Sequence, residues 1–255
     1  MEQRIKLAVV TGASSGVGEA TAVLLVKRGY RVVMIARSAG KLADLATSLG
    51  VLAIAAPANA ARESEIEPIA TRILSEYGAP DLIVNSAGAG QWERIENTTE
   101  AQAREMMDAP YMAAFVTTRA FLPAMIARGS GVILHVNSPA CIAAWPSSVG
   151  YAAARWALRG LHEALAQDLA GTGVRSCNVL FGKISSAYFD HNPGVTDKLP
   201  LLDKTIPTLT PEYCADKLAM LAETPRHQAA FPFLLGVNAV MARLLPGPVR
   251  WLLRL

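Results

Sequence analysis

The sequence predicts a three-layer α/β/α domain built on a doubly wound parallel sheet. Short apolar runs alternate with longer amphipathic stretches from end to end, the pattern of repeated strand-helix-strand units. Most of the runs are apolar on both faces, as strands covered by helices on both sides should be. The first run passes at once into a glycine-rich turn, Thr11-Gly12-Ala13-Ser14-Ser15-Gly16-Val17-Gly18, and then into a helical pattern.

Strands are expected over Leu7 to Thr11, Arg31 to Ala36, Leu52 to Ala56, Leu82 to Asn85, Gly131 to Asn137 and Val174 to Phe181. Helical periodicity covers Gly18 to Arg28, Lys41 to Leu49, Glu63 to Glu76, Thr99 to Arg128 and Tyr151 to Leu169, with Gly29, Gly50, Gly78, Gly129 and Gly171 as stops. Right-handed crossovers then wind the sheet in both directions. No repeat, linker or composition break divides the 255 residues, of which 52% are apolar, so one domain with one substantial core is expected. Lys183 to Pro211, with four prolines, reads as a long irregular substrate loop.

Composition excludes several classes. Lys plus Arg number 24 against 21 Asp plus Glu, a net charge of +3, and no basic tract is dense enough to follow a phosphate backbone. No nucleic-acid partner is expected. Cys141, Cys177 and Cys214 are three widely spaced thiols with no C-x-x-C pair and no histidine at ligand spacing, so neither a disulfide framework nor a metal is indicated. With no secretory pattern at the N-terminus, the expected compartment is the cytoplasm.

The region near the C-terminus is the most apolar. Pro232, Asn238, Arg243, Pro246 and Arg250 interrupt it before the roughly 20 residues a spanning helix needs, so no membrane span is expected. Pro246 to Leu255 mixes Val249, Trp251, Leu252, Leu253 and Leu255 with Arg250 and Arg254, which suits a membrane surface or a subunit contact. Packing on its own or a neighbouring subunit is the expectation.

The glycine turn has a chemical reading. Gly12, Gly16 and Gly18 let the backbone turn tightly and approach a pyrophosphate held at a helix N-terminus, with Val17 in the same turn and Ser14 and Ser15 adding hydroxyl donors. A dinucleotide is therefore the expected ligand of this Rossmann-type fold. An NAD-selecting acid would stand at the end of the second strand, but that strand ends Ala36-Arg37-Ser38. Arg37 can pair with a ribose 2′-phosphate, so NADP(H) is expected in preference to NAD(H).

Four elements together resemble the short-chain dehydrogenase/reductase family over nearly the whole chain. They are Thr11-Gly12-x-x-x-Gly16-x-Gly18; Asn85-Ser86-Ala87-Gly88; Ser138 thirteen residues before Tyr151; and Gly182 with Ile184 and Ser186 after the sixth strand. The resemblance implies that Tyr151 is the general acid or base on a substrate carbonyl or hydroxyl and that Ser138 hydrogen-bonds the same oxygen. Asn85, Ala87, Gly88, Gly182 and Ile184 are then expected beside the cofactor, and hydride passes directly between nicotinamide and substrate. A free phenol holds its proton to about pH 10, so base catalysis near neutrality needs positive charge close by.

The sequence departs from the family pattern at that charge. A lysine is usual four residues after the tyrosine, and here stands Arg155. The i,i+4 spacing keeps Arg155 on the face of Tyr151, able to hold the ribose diol and favour the phenolate, but a guanidinium is a poor proton relay. Aligning on Thr118-Arg119 and Leu122-Pro123 puts Pro110 where the family has a water-holding asparagine. Phe181 replaces a usual proline, and Asn59, after Pro57-Ala58, stands within one residue of a usual aspartate at the adenine.

Secondary candidates are Trp145, Pro146, Tyr188, Phe189 and His191 as pocket residues, and Asp108 beside Pro110. His135 and His162 are expected as packed rather than catalytic histidines. The leading reading is an NADP(H)-dependent reductase or dehydrogenase acting on a carbonyl or alcohol of a small to medium, largely apolar molecule; the family resemblance implies a homodimer or homotetramer. Two others stay open: a specialised biosynthetic activity such as cyclisation, elimination or imine reduction, and a catalytically inactive NADP-binding protein.

Overall fold

A computed structural model describes residues 4–88, 90–185 and 206–254. Ser186, Tyr188, Phe189 and His191, with most of the expected substrate loop, lie outside the described residues.

Seven parallel strands form one sheet in the order β3-β2-β1-β4-β5-β6-β7. They are β1 (Leu7–Thr11), β2 (Arg31–Ala36), β3 (Ala53–Pro57), β4 (Leu82–Asn85), β5 (Gly131–Asn137), β6 (Val174–Phe181) and β7 (Gln228–Phe231). The helices are α1 (Gly16–Lys27), α2 (Ala39–Leu49), α3 (Glu63–Tyr77), α4 (Glu100–Met107), α5 (Ala113–Arg128), α6 (Val149–Asp168), α7 (Pro211–Glu223), α8 (Phe233–Leu244) and α9 (Pro246–Leu252).

The two-faced strands bury alternate residues against two helical layers. Ala8, Val10, Val32 and Met34 pack with Leu25 of α1, Leu42 of α2 and Leu218 of α7. Leu7, Val9, Val33 and Ile35 pack with Ile73 of α3, Phe121 of α5 and Leu165 of α6. Each such fully buried Leu, Ile or Phe contributes about 1.5–3 kcal/mol of transfer free energy. Among the described residues no helix is long and apolar enough to cross a membrane.

The winding reverses between β1 and β4, which pair as far as Thr11 and Asn85. Outside the carboxyl ends of the strands at such a switch point is the usual ligand position in an open α/β sheet.

The expected helix from Thr99 to Arg128 is divided. Thr99 and Gln102 form a reciprocal capping box that starts α4, and a π-helical turn, Asp108–Met112, separates α4 from α5. Pro110 supplies the cause: lacking an N–H, it cannot make the helical i→i−4 bond, and the turn widens, with Ala113 N–H reaching back to Asp108.

Three helices and one strand near the C-terminus add to the predicted elements. α7 starts on a Thr210 cap that accepts from Tyr213 N–H, with Pro211 in the first turn. β7 is short and has no β-branched residue, so local propensity does not announce it.

His135 is fully buried in β5, its Nδ1 3.3 Å from the Asn85 amide nitrogen. Burial, with His162 nearby, pushes its pKa down to about 3. The unfolded chain takes up this proton near pH 6.5 and the folded chain only near 3, so the stability present above pH 6.5 is lost as pH falls, by about 1.4 kcal/mol per pH unit. We predict that between pH 7 and 5 the wild type loses about 2 kcal/mol more than His135→Gln in urea titrations; equal losses would contradict this.

Candidate active site

The glycine turn leaves β1 at the switch point and is fixed there by close backbone contacts. Gly12 has φ +68°, and a Cβ on it would stand 2.9 Å from the backbone of Ser86 and Ala87. A Cβ on Gly18 would lie 2.3 Å from the Gly12 carbonyl oxygen. Thr11 Oγ1 accepts from Ser86 N–H and Ala87 N–H, both at 3.1 Å, joining the ends of β1 and β4. The Ser15 side chain makes no cap bond, so its hydroxyl and the first-turn N–H groups of α1 face outward without intrahelical partners.

Asn85 is buried, and its amide donates to Thr118 Oγ1 at 3.1 Å. Its Oδ1 is buried without a hydrogen-bond partner among the described residues. Arg37 is exposed at the end of β2, and among the described residues no carboxylate pairs with it. Asn59 is half-buried with its Oδ1 taken by Ala61 N–H, which leaves its amide hydrogens.

Ser138 follows β5, and its Oγ accepts from Ala140 N–H at 3.3 Å. Tyr151 stands in the first turn of α6, packed with Trp92, Met106 and Ala140. Its ring is 5.7 Å from that of Trp92 and 6.2 Å from that of Trp145, and the two indoles meet edge to face at 5.0 Å. Trp92 comes from the segment after β4 and carries no local motif, so spacing alone does not reveal it.

Arg155 is 8% exposed, deep burial for a guanidinium. The group lies 4.9 Å from the Tyr151 ring centroid, and Nη1 donates to Val136 O at 3.2 Å. A Cβ on Gly88 would come within 2.9 Å of Nη2, so the glycine makes room for it. Arg155 Nε is buried without a protein partner. The helix backbone beneath is held by Asn137, whose amide donates to Arg155 O at 3.2 Å and to Asn178 Oδ1 at 3.0 Å. Pro110 is buried in the π turn that packs against α6, and Asp108 in the same turn is half-buried.

Gly182 continues from β6 with its N–H on Phe231 O at 3.0 Å, and Ile184 makes a single parallel bridge to Leu209. Phe181 is buried against Phe231, with ring centroids 5.9 Å apart. The three thiols are buried, and burial raises Cys141 and Cys177 to about 11 and Cys214 to about 12, which makes them poor nucleophiles near neutrality.

His162 is fully buried, its Nδ1 2.8 Å from Ser176 Oγ, and burial lowers its pKa to about 4. With Glu163 and His227 it brings potential ligand atoms within 4.8 Å of one another, a grouping made by the fold and invisible to sequence spacing. Glu163 and His227 are already joined at 3.0 Å.

Comparisons with known proteins agree with this architecture. Residues 6–193 match the family model described as short chain dehydrogenase. An uncharacterized oxidoreductase of Staphylococcus aureus (strain MRSA252) is 30% identical over 196 residues, covering 76% of this chain and 85% of the relative. A short-chain dehydrogenase from Streptomyces avermitilis superposes with a TM-score of 0.82 at 28% identity, over 94% of this chain and 93% of that one. An alcohol dehydrogenase from Thermococcus sibiricus, solved with 5-hydroxy-NADP, gives a TM-score of 0.76 at 26% identity over 89% and 95%.

The chain belongs to the short-chain dehydrogenase family. It is an oxidoreductase of that type, with one Rossmann-like sheet, and its structural neighbours bind nicotinamide dinucleotides.

Removing the Asn137 side chain leaves Asn178 Oδ1 and the Ser138 N–H without these partners in the interior. We predict that Asn137→Ala costs about 2–3 kcal/mol in chemical denaturation. Gly12→Ala, strained at positive φ and blocked by backbone, is predicted to abolish nucleotide binding in a fluorescence titration, whereas Gly40→Ala, with open space around it, leaves it unchanged.

Proposed function

We propose that this protein is an NADP(H)-dependent oxidoreductase that interconverts a carbonyl and an alcohol on a small to medium, largely apolar substrate. The observation that carries the reading is the buried Arg155 guanidinium, seated between the Tyr151 ring and the Gly88 turn on the edge of the sheet that also holds Ser138 and the glycine loop.

The residues present fit a dinucleotide. Gly12 and Gly18 make a cradle that a Cβ would fill, the first turn of α1 offers N–H groups and the hydroxyl of Ser15, with Ser14 beside it, and Arg155 Nε is a buried donor lacking a protein partner. Gly16, Val17 and Gly18 would hold the pyrophosphate. Ala87 and Gly88 would border the nicotinamide ribose, Asn59 the adenine, and Gly182 and Ile184 the carboxamide side. Arg37, exposed and without a carboxylate partner among the described residues, favours NADP(H) over NAD(H) by pairing with a 2′-phosphate.

When bound, the nicotinamide supplies or accepts the hydride. Tyr151 moves the proton at the substrate oxygen through its hydroxyl, and Ser138 Oγ donates a hydrogen bond to that oxygen. Arg155 holds the ribose hydroxyls and keeps a fixed positive charge on Tyr151 without exchanging a proton itself. Trp92, Trp145 and Tyr151 form an aromatic wall that excludes water and suits an apolar substrate. Phe115 on α5 and Trp156 on α6 are 40% and 49% exposed, which supports a homodimer or homotetramer through these helices.

The test is NADPH oxidation against ketones, aldehydes, quinones and imines. Carbonyl-dependent turnover is expected, falling at least a hundredfold in Tyr151→Phe with NADPH affinity within threefold of wild type. Turnover indifferent to that change contradicts the assignment. Arg37→Ala is expected to weaken NADPH binding about tenfold or more while leaving NADH binding unchanged, one lost charge-assisted contact being about 1.5–3 kcal/mol.

A further inference from the structure

The C-terminal helices carry an apolar face that the fold does not cover. α8 leaves β7 at Pro232 and is held down by Leu235 and Ala239, 3% and 8% exposed. Leu235 packs on Cys141 and Leu180, so the helix is rooted three residues from Ser138 on the same edge of the sheet. Its outer side is a stripe at helical spacing: Phe233, Val237, Val240 and Leu244 are 82%, 42%, 54% and 70% exposed. On α9, the next helix, Trp251 is 60% exposed. Isolated apolar side chains on a surface are ordinary, but four at helical spacing along one helix mark a contact.

The charge on this part of the chain names the partner. After Glu223 the sequence holds Arg226, Arg243, Arg250 and Arg254 and no Asp or Glu. A second copy packed about a two-fold axis would set this patch on itself, arginine against arginine with no carboxylate between them. An anionic bilayer supplies what the patch lacks, phosphates for the guanidinium groups and an acyl boundary for the stripe.

We propose that α8 and α9 seat the protein on the surface of an anionic membrane, with the Phe233–Leu244 stripe and Trp251 at the acyl boundary and Arg243, Arg250 and Arg254 at the phosphates. The seat adjoins the edge of the sheet that carries Ser138. It spans nothing, since both helices are far shorter than a bilayer is thick.

Sedimentation of the full chain with phosphatidylcholine vesicles, with and without 30% phosphatidylglycerol, tests this. We expect at least tenfold tighter binding to the anionic vesicles and a marked loss in 0.5 M salt. Brominated lipid should quench tryptophan emission in the wild type, and quench it less in Trp251→Phe. Val237→Ser/Val240→Ser/Leu244→Ser should stay in the supernatant while keeping the wild-type circular dichroism spectrum and NADPH affinity. The proposal is overturned if the wild type binds neutral and anionic vesicles equally, or binds neither. It is also overturned if light scattering shows an oligomer that the serine variant dissociates, which would assign the stripe to a second copy. Vesicle binding and nucleotide binding are read separately, so failure of the seat is distinct from failure of the proposed activity.

Discussion

A guanidinium buried to 8% exposure is the constraint around which the active-site edge is arranged. A charge taken out of water is tolerable only where carbonyls, ring faces or a ligand replace its hydration. Arg155 has Val136 O and the Tyr151 ring, and it approaches a turn whose glycine leaves space for it. These contacts tie α6 to the end of β5 and to the segment after β4. Asn137 ties the same helix from below through Arg155 O. The tyrosine, the serine loop and the glycine crevice therefore share one rigid frame, positioned by backbone and buried amides rather than by exposed ion pairs.

The π turn at Asp108–Met112 belongs to the same frame. A proline in the middle of a helix removes one N–H and crowds the preceding turn, and widening to i→i−5 bonding accommodates both effects. The widened turn packs against α6, the helix that carries Tyr151 and Arg155. The Pro110 side chain offers no donor or acceptor there, and Arg155, Asn137 and Asn178 hold the neighbouring backbone and one another. Fixed charge and fixed backbone positions are what such a site supplies, and both serve orientation more than proton storage.

Much of this was legible in the sequence because parallel strands buried on both faces must be apolar along their length, as β1, β2 and β4 are apart from the end residues Thr11, Arg31 and Asn85. The shared face of Tyr151 and Arg155 followed from helical spacing, and the short distance between ring and guanidinium agrees with it. Other features depend on tertiary placement and leave no local trace. Trp92 reaches Tyr151 from a loop, and the Asn85 amide meets Thr118 and His135, far from it in the chain. β7 is strand only because it completes the sheet beside β6. α8 and α9 lie in apolar chain whose pattern Pro232 and Pro246 break at the points where each helix begins.

The central claim is that positive charge held at position 155 organises the site. The most direct measurement compares NADPH-dependent turnover of Arg155→Lys and Arg155→Met, two variants of similar length of which only one keeps the charge. We expect the lysine variant to retain turnover within about tenfold of wild type and the methionine variant to lose at least a hundredfold, about 2.7 kcal/mol of barrier. Equal activity in the two variants would contradict the claim.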